Sequence, residues 1–327
     1  TAAVDAGEQV LRRVRAAGLR LDEAGEEALL RAIESRGKPP APRIEEDALR
    51  SRYARPRAYS VSEIETYRGC PFRHFAQYAL HLSEEEDPAG DARRGLIWHQ
   101  ALSKAMRDPR SVAAEEAEEL NLVLQDALRP IIPESGMGVP AYREEMLRRA
   151  LTESAAAFAE REIRYRRTIC WEPKYHELAF GPQGNRGVRG AGSENERGLD
   201  PASKVSVPLR VQAPDGLVVQ VSGIIDRVDL SPDGTRALVM DYKTGHAPSY
   251  SEMRKGESIQ LAIYLMAIEQ VWGLAGAAAA YDSVRDDSRF RIYRTQYVDA
   301  AAFAPDPDHE RGAVAKPISA DDFDELV

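Results

Sequence analysis

Cysteine is nearly absent: Cys70 and Cys170 are the only two in 327 residues. So sparse a set supplies no disulfide framework and no paired zinc spacing. Long apolar runs are missing as well, and no stretch approaches the roughly 20 residues that a bilayer-crossing helix needs. The first residues, Thr1-Ala2-Ala3-Val4, lack the charged-then-apolar pattern of a secretion signal. A cytoplasmic protein without membrane association is the expectation, and the missing initiator methionine is what a fragment or a processed chain would show. Basic residues are not in surplus either. Lys and Arg total 44 against 53 Asp and Glu, a net charge of -9, which argues against a general polyanion-binding surface because phosphate binding leaves a basic footprint. That exclusion is bounded, since a metal ion brings its own positive charge and a local basic strip coexists with an acidic whole. Arg93-Arg94 and Arg161–Arg167 (REIRYRR) are such strips, although a solvated helix face accounts for such runs more often.

What is present centres on residues 218–245, VVQVSGIIDRVDLSPDGTRALVMDYKTG. Two apolar runs flank Ser231-Pro232-Asp233-Gly234, turn residues that supply a preset φ and a tolerated positive φ, so the stretch predicts a β-hairpin. A period of two puts Asp241 and Lys243 on one face of the second strand and Tyr242 on the other. In the first strand Asp226 follows the buried-looking Gly223-Ile224-Ile225, and hairpin pairing brings it toward Asp241. Two converging carboxylates repel unless a cation sits between them, and oxygen ligands suit a hard ion such as magnesium or manganese. Alternating Asp and Lys also describe the plain solvated face of an antiparallel strand.

Around the hairpin, residues 1–45 predict amphipathic helices, carried by Val10, Leu11, Val14, Leu19 and Leu21, and a Pro-rich linker at 38–42. Ser60 with Glu63, or Ser62 with Glu65, fits a capping box, and Pro71 opens a further helix whose apolar face is Phe72, Phe75, Ala76 and Ala79. Helices are expected over 94–106, 113–128 and 140–167. Strands follow at 172–180 and 204–211, separated by a polar, mobile loop, 181–203. Beyond the hairpin, a helix over 258–272 sets Gln260 and Tyr264 one turn apart on one face. Strands are expected at 277–283 and 290–298, ahead of a polar, Pro-broken tail, 301–327.

Several of these stretches resemble one family. Gly223-Ile224-Ile225-Asp226-Arg227-Val228-Asp229 followed by Asp241-Tyr242-Lys243-Thr244-Gly245 is similar to the central motifs of PD-(D/E)XK nucleases of the RecB-like type. Residues 60–80, SVSEIETYRGCPFRHFAQYAL, resemble the helical lead-in of RecB-like and AddB-like nucleases. Gly95 and His99 have the spacing of the family's Gly-x-x-x-His helix, Gln260 and Tyr264 that of its Gln-x-x-x-Tyr motif, and Glu177 matches an acidic residue common in it. A lone histidine, or a tyrosine with a satisfied hydroxyl, is otherwise more often part of the core.

The resemblance implies an α+β, restriction-endonuclease-like domain over about 58–300: a mixed central β-sheet flanked by helices, with a helical insertion over about 109–168. It implies Mg2+- or Mn2+-dependent hydrolysis of DNA phosphodiester bonds, most simply by an exonuclease acting on single-stranded ends in DNA repair and recombination. His99, Asp226, Asp241 and the Tyr242 carbonyl would hold the metal. Lys243 would position water or stabilise the transition state. Gln260, Tyr264, Glu177 and Arg227 would contact DNA or support the site. A helicase subunit or domain is the implied partner. A nuclease fold that has lost catalysis and serves as a DNA-binding or scaffolding module of a helicase-nuclease complex is the competing expectation. Many AddB-like relatives hold an iron-sulfur cluster. Cys70 sits where its first ligand would be, but two cysteines cannot complete four thiolates, so no cluster is expected in this chain: either this member lacks it or the remaining ligands lie beyond Val327.

Overall fold

A computed structural model describes residues 12–15, 22–37, 57–82, 87, 90–132, 139–169, 171–183, 198–213, 216–245, 247–283, 288–298 and 315–324. The chain divides into two units, residues 1–57 and 58–327. In the first, helix α1 spans Glu23–Gly37, with Asp22 accepting from the Gly25 N–H at 2.9 Å at its start. Val10, Leu11, Leu19, Leu21 and the Pro-rich linker lie outside the described residues.

The second unit is built on one 13-residue strand. Strands β1 (Ala58–Ser60), β2 (Glu172–Phe180), β3 (Leu209–Gln212), β4 (Val218–Leu230), β5 (Arg236–Lys243), β6 (Ala275–Ser283), β7 (Ser288–Arg294) and β8 (Ala315–Ile318) form a mixed sheet. Its main order is β1-β4-β5-β6-β7-β8, with β2 and β3 also on β4. The first half of β4 pairs in parallel with β1 and antiparallel with β3. Its second half pairs antiparallel with β2 and with β5. The β4–β5 connection is the expected turn, closed by Gly234 N–H to Ser231 carbonyl at 2.8 Å. Gly234 has φ +69°, a left-handed backbone that suits glycine.

Side-chain alternation along β5 and β6 divides the core between two faces. Leu238, Met240, Tyr242, Ala278 and Ala280 pack with α4 (Asp91–Met106), α6 (Ala117–Leu128) and α7 (Ala141–Thr168). Val239, Ala279 and Tyr281 face the other way, packing with Val61 of α2 (Val61–Gly69) and with α9 (Gln260–Ala267). The shorter helices are α3 (Pro71–His74), α5 (Pro109–Ala113), α8 (Tyr250–Arg254) and α10 (Ala320–Asp324). Helices α5 to α7 fill the expected insertion.

Several boundaries differ from the sequence expectation. The helix expected over 113–128 is interrupted: α5 ends at Ala113, and α6 restarts behind a capping box of Glu116 and Glu119. The strand expected at 204–211 begins only at Leu209; before it Lys204 makes a single bridge to Phe180, and its ammonium donates to the Val271 carbonyl at 2.8 Å. Most of the 181–203 loop lies outside the described residues. Phe72 is 77% exposed and Ala79 is the buried member of its expected apolar face, because α3 is one turn long and passes into a π-helical turn, Phe75–Ala79, which rotates the expected stripe. Residues beyond 300 are more than a tail. Strand β8 adds in parallel to β7, with Ile318 and Phe323 buried in the core; an edge strand of four residues carries too little alternation to read in advance.

Candidate active site

The β4–β5 ladder runs from Leu230↔Ala237 to Arg227↔Met240. Just beyond it, where Asp226 and Asp241 come next, the strands part and side chains replace the ladder. Asp226 Oδ2 accepts from the Tyr242 N–H at 2.8 Å, so a carboxylate is pinned at the splay point. Its other oxygen lies 3.4 Å from His99 Nδ1. His99 reaches it from α4, whose buried Ile97, Trp98, Ala101 and Leu102 anchor the helix in the insertion core. Gly95, one turn earlier, lets α4 approach the end of β5: a Cβ there would sit 3.1 Å from Thr244 Oγ1. Arg94 Nη2 donates to the Thr244 carbonyl at 3.1 Å beside it.

Glu177 comes from β2. The register places it opposite Asp226, between the pairs His176↔Arg227 and Leu178↔Ile225. Its φ is +54°, a left-handed conformation that costs a non-glycine residue on the order of 1 kcal/mol and persists only where the surroundings enforce it. Here the Asp200 N–H donates to the Glu177 carbonyl at 3.0 Å, and Asp200 Oδ2 accepts from the His176 N–H at 3.0 Å. One ligand atom each from His99, Glu177 and Asp226 falls within 4.8 Å of the others. Two carboxylates and an imidazole are donors that suit a divalent ion of the magnesium or manganese kind, so these residues fit the metal the family implies. Glu177 thus stands with His99 and Asp226 in the cluster itself.

Asp241 turns to a second group on the α9 face. Lys243 Nζ is 2.7 Å from Asp241 Oδ2 and donates to Gln260 Oε1 at 2.7 Å. Gln260 Nε2 donates to Asp241 Oδ1 at 2.6 Å and to the Tyr264 hydroxyl at 3.0 Å. The expected sharing of a face by Asp241 and Lys243, and of a helical turn by Gln260 and Tyr264, is what lets these four meet. Tyr264 is buried, its ring edge-on to Phe180 at 6.3 Å. Tyr242 takes part through its N–H, while its ring lies buried among the insertion helices, edge-on to Phe158 at 5.9 Å.

Burial and neighbouring charge shift the titration of the site's groups. Burial raises Glu177 to about 8, and the nearby Asp226 adds to the effect. Burial also raises Asp241, to about 6; Lys243 pulls it down and Asp226 pushes it up. Burial would lower His99, but Asp226, joined by Asp241 and Glu177, raises it to about 9. Lys243 is likewise disfavoured by burial but held above its ordinary value by Asp241.

Arg227 is placed elsewhere than DNA contact requires. It is fully buried, with Nε 2.5 Å from Asp229 Oδ1 and Nη1 2.9 Å from Glu162 Oε2. The Tyr165 hydroxyl donates to Asp229 at 2.9 Å and Arg166 Nε to Glu162 at 2.8 Å. A guanidinium without solvent exposure cannot meet a phosphate, so its part is to tie β4 to α7. The REIRYRR segment supplies that tie through Glu162 and Tyr165, and Arg161 adds a buried pair with Asp282 at 2.9 Å, while Arg167 at its end stays exposed. Cys70 is exposed and caps α3, its sulfur accepting from the Arg73 N–H at 3.4 Å. Cys170 lies outside the described residues.

A mixed sheet whose central hairpin presents an aspartate, an Asp-x-Lys strand end and a helix-borne histidine defines the restriction-endonuclease-like class. The chain belongs to the PD-(D/E)XK nuclease superfamily, whose pattern matches residues 58–326. Among curated proteins it is similar to an ATP-dependent helicase/deoxyribonuclease subunit of Desulforudis audaxviator, 32% identical over 73% of this chain and 19% of that protein. The protein of the same name from Pelotomaculum thermopropionicum is 29% identical over 68% of this chain and 19% of its own length. That from Exiguobacterium sibiricum is 25% identical over 69% and 19%. The chain spans about a fifth of the length of these relatives. Among the described residues no helix is long and apolar enough to cross a membrane.

Proposed function

We propose that this chain is a divalent-metal-dependent DNA nuclease, a phosphodiester hydrolase acting on single-stranded ends in the cytoplasm, within a helicase-nuclease assembly that serves DNA repair and recombination. The convergence of His99, Glu177 and Asp226 beside the Asp241–Lys243–Gln260 group carries this reading. The relatives' shared name, ATP-dependent helicase/deoxyribonuclease, supports DNA as substrate and a helicase as partner.

His99, Glu177 and Asp226 would hold Mg2+ or Mn2+, with Asp241 and the Tyr242 carbonyl adjacent. Bound there, such an ion supplies Lewis acidity toward a phosphate oxygen and makes a water more acidic. The chain's own residues do the rest. Tyr242 N–H fixes the rotamer of Asp226, so that one oxygen stays directed at His99. Gln260 holds Asp241 and Lys243 in a fixed relation, and the ammonium so held would stabilise the negative charge that grows on a phosphate during attack. Groups set in advance need no reorganisation in the transition state, so their effect falls on rate more than on substrate binding.

The test is cleavage of end-labelled single- and double-stranded DNA with magnesium, with manganese and with chelator, wild type against Asp241→Ala. Metal-dependent cleavage that Asp241→Ala abolishes is the expected result. Binding of DNA without cleavage under any of these conditions would leave a DNA-binding module of the same assembly.

A further inference from the structure

Helix α9 begins at Gln260, and the residue before it, Ile259, offers no side-chain cap. The Ile259 N–H is nevertheless satisfied: it donates to Glu65 Oε1, 194 positions back in the chain and on α2, at 2.9 Å. Ser258 Oγ lies 3.5 Å from the same oxygen and 2.7 Å from the Tyr281 hydroxyl. The Tyr281 ring in turn lies under the Lys243 ammonium, 5.2 Å from its centroid. In a capping box the N-cap N–H is satisfied by a carboxylate from the helix's own first turn; here a carboxylate from another helix takes that place for the helix that carries Gln260.

We infer that Glu65 is a positioning residue: by capping α9 from α2 it fixes the first turn of that helix, and so the place of Gln260 between Asp241 and Lys243. Local spacing would assign Glu65 to a capping box with Ser62, but its carboxylate leaves α2 for α9. Glu63 departs from the capping pattern in the same way. Ser60 accepts from its N–H at 3.2 Å, while its carboxylate reaches His74 Nε2 at 2.9 Å. The lead-in helices are thereby joined to the site by hydrogen bonds as well as by packing. Because Gln260 sits at the first position of α9, loss of the cap frees the turn that holds it.

The inference rests on the nuclease reading for its kinetic consequence and on geometry alone for the cap, and two measurements keep these apart. Hydrogen exchange should rise over residues 258–264 in Glu65→Ala and stay near wild type in Glu65→Gln, which keeps an acceptor oxygen. In cleavage of single-stranded DNA with manganese, kcat of Glu65→Ala should fall roughly ten- to hundredfold, the scale of a small misplacement near the chemistry, with KM nearly unchanged. Glu65→Gln should recover most of that loss. If Glu65 acts through Gln260, the double variant Glu65→Ala/Gln260→Ala should be no slower than Gln260→Ala alone, because coupled residues are non-additive. Unchanged exchange in Glu65→Ala would overturn the cap, and multiplied losses in the double variant would overturn its action through Gln260. A wild type that cleaves nothing while the exchange pattern holds would remove the nuclease reading and leave the cap standing.

Discussion

Asp226 and Arg227 are neighbours on β4, yet they belong to opposite kinds of charge cluster. Arg227 enters a closed set: Asp229, Glu162, Arg166 and Tyr165 meet one another at hydrogen-bond distance in the interior between sheet and α7. Signs alternate there, so each charge lost from water is offset by a partner of fixed geometry. Asp226 enters an open set. Three carboxylates, Asp226, Asp241 and Glu177, face one lysine and one histidine, and both Glu177 and Asp241 are held above the ordinary carboxylate range. A cluster completed by its own residues holds a fold together. One in which carboxylates outnumber cationic partners suits a divalent cation, which has the right sign and hardness.

Opening the closed set should have the largest effect. Arg227→Met should cost about 3–5 kcal/mol, the usual scale for leaving buried partners without their counter-charge, read as a fall in unfolding free energy by urea titration. A loss below about 1 kcal/mol would mean that the cluster is not an interior tie. On the other side, Lys243→Met should leave the fold, the metal-induced rise in melting temperature and most DNA affinity in place while cleavage slows by roughly a hundredfold or more. Equal rates in variant and wild type would make Lys243 an ordinary strand residue.

A smaller effect should have the reverse sign. Asp226→Asn removes one of the crowded carboxylates, so without metal the protein should melt a few degrees higher than wild type, while the rise caused by added manganese disappears. Retention of the full manganese effect would take Asp226 out of the metal site.

The mildest test is pH. Glu177 is raised from 4.5 to about 8 and His99 from 6.5 to about 9. Groups raised in the folded state add stability below their unfolded values and lose it as pH climbs through the folded ones. Metal-free protein should therefore lose stability between about pH 6 and 9, and the stabilisation by manganese should grow over the same range as ligand protons leave. Scanning calorimetry across that range, with Glu177→Gln as the flatter control, reads both; an upward trend without metal would contradict the placement of Glu177.

Parts of this contrast were legible in the chain itself. Period-two alternation put Asp241 and Lys243 together and Tyr242 on the opposite face, and the Ser231–Gly234 turn set the hairpin that draws Asp226 toward them. Helical spacing paired Gly95 with His99 and Gln260 with Tyr264. These are relations between residues a few positions apart, which backbone geometry dictates wherever the element packs.

Tertiary structure decided the rest. Whether Arg227 faced DNA or the interior depended on α7, whose Glu162 lies 65 positions earlier and whose arginines look like a solvated strip in isolation. Glu177 reaches the cluster through a left-handed backbone enforced by Asp200, a conformation that no residue preference announces. Glu65 caps a helix 194 positions away, and β8 joins the edge that β7 presents. Periodicity reports which way a side chain points from its own element; it is silent on what stands opposite, because that partner arrives from a part of the chain with a period of its own.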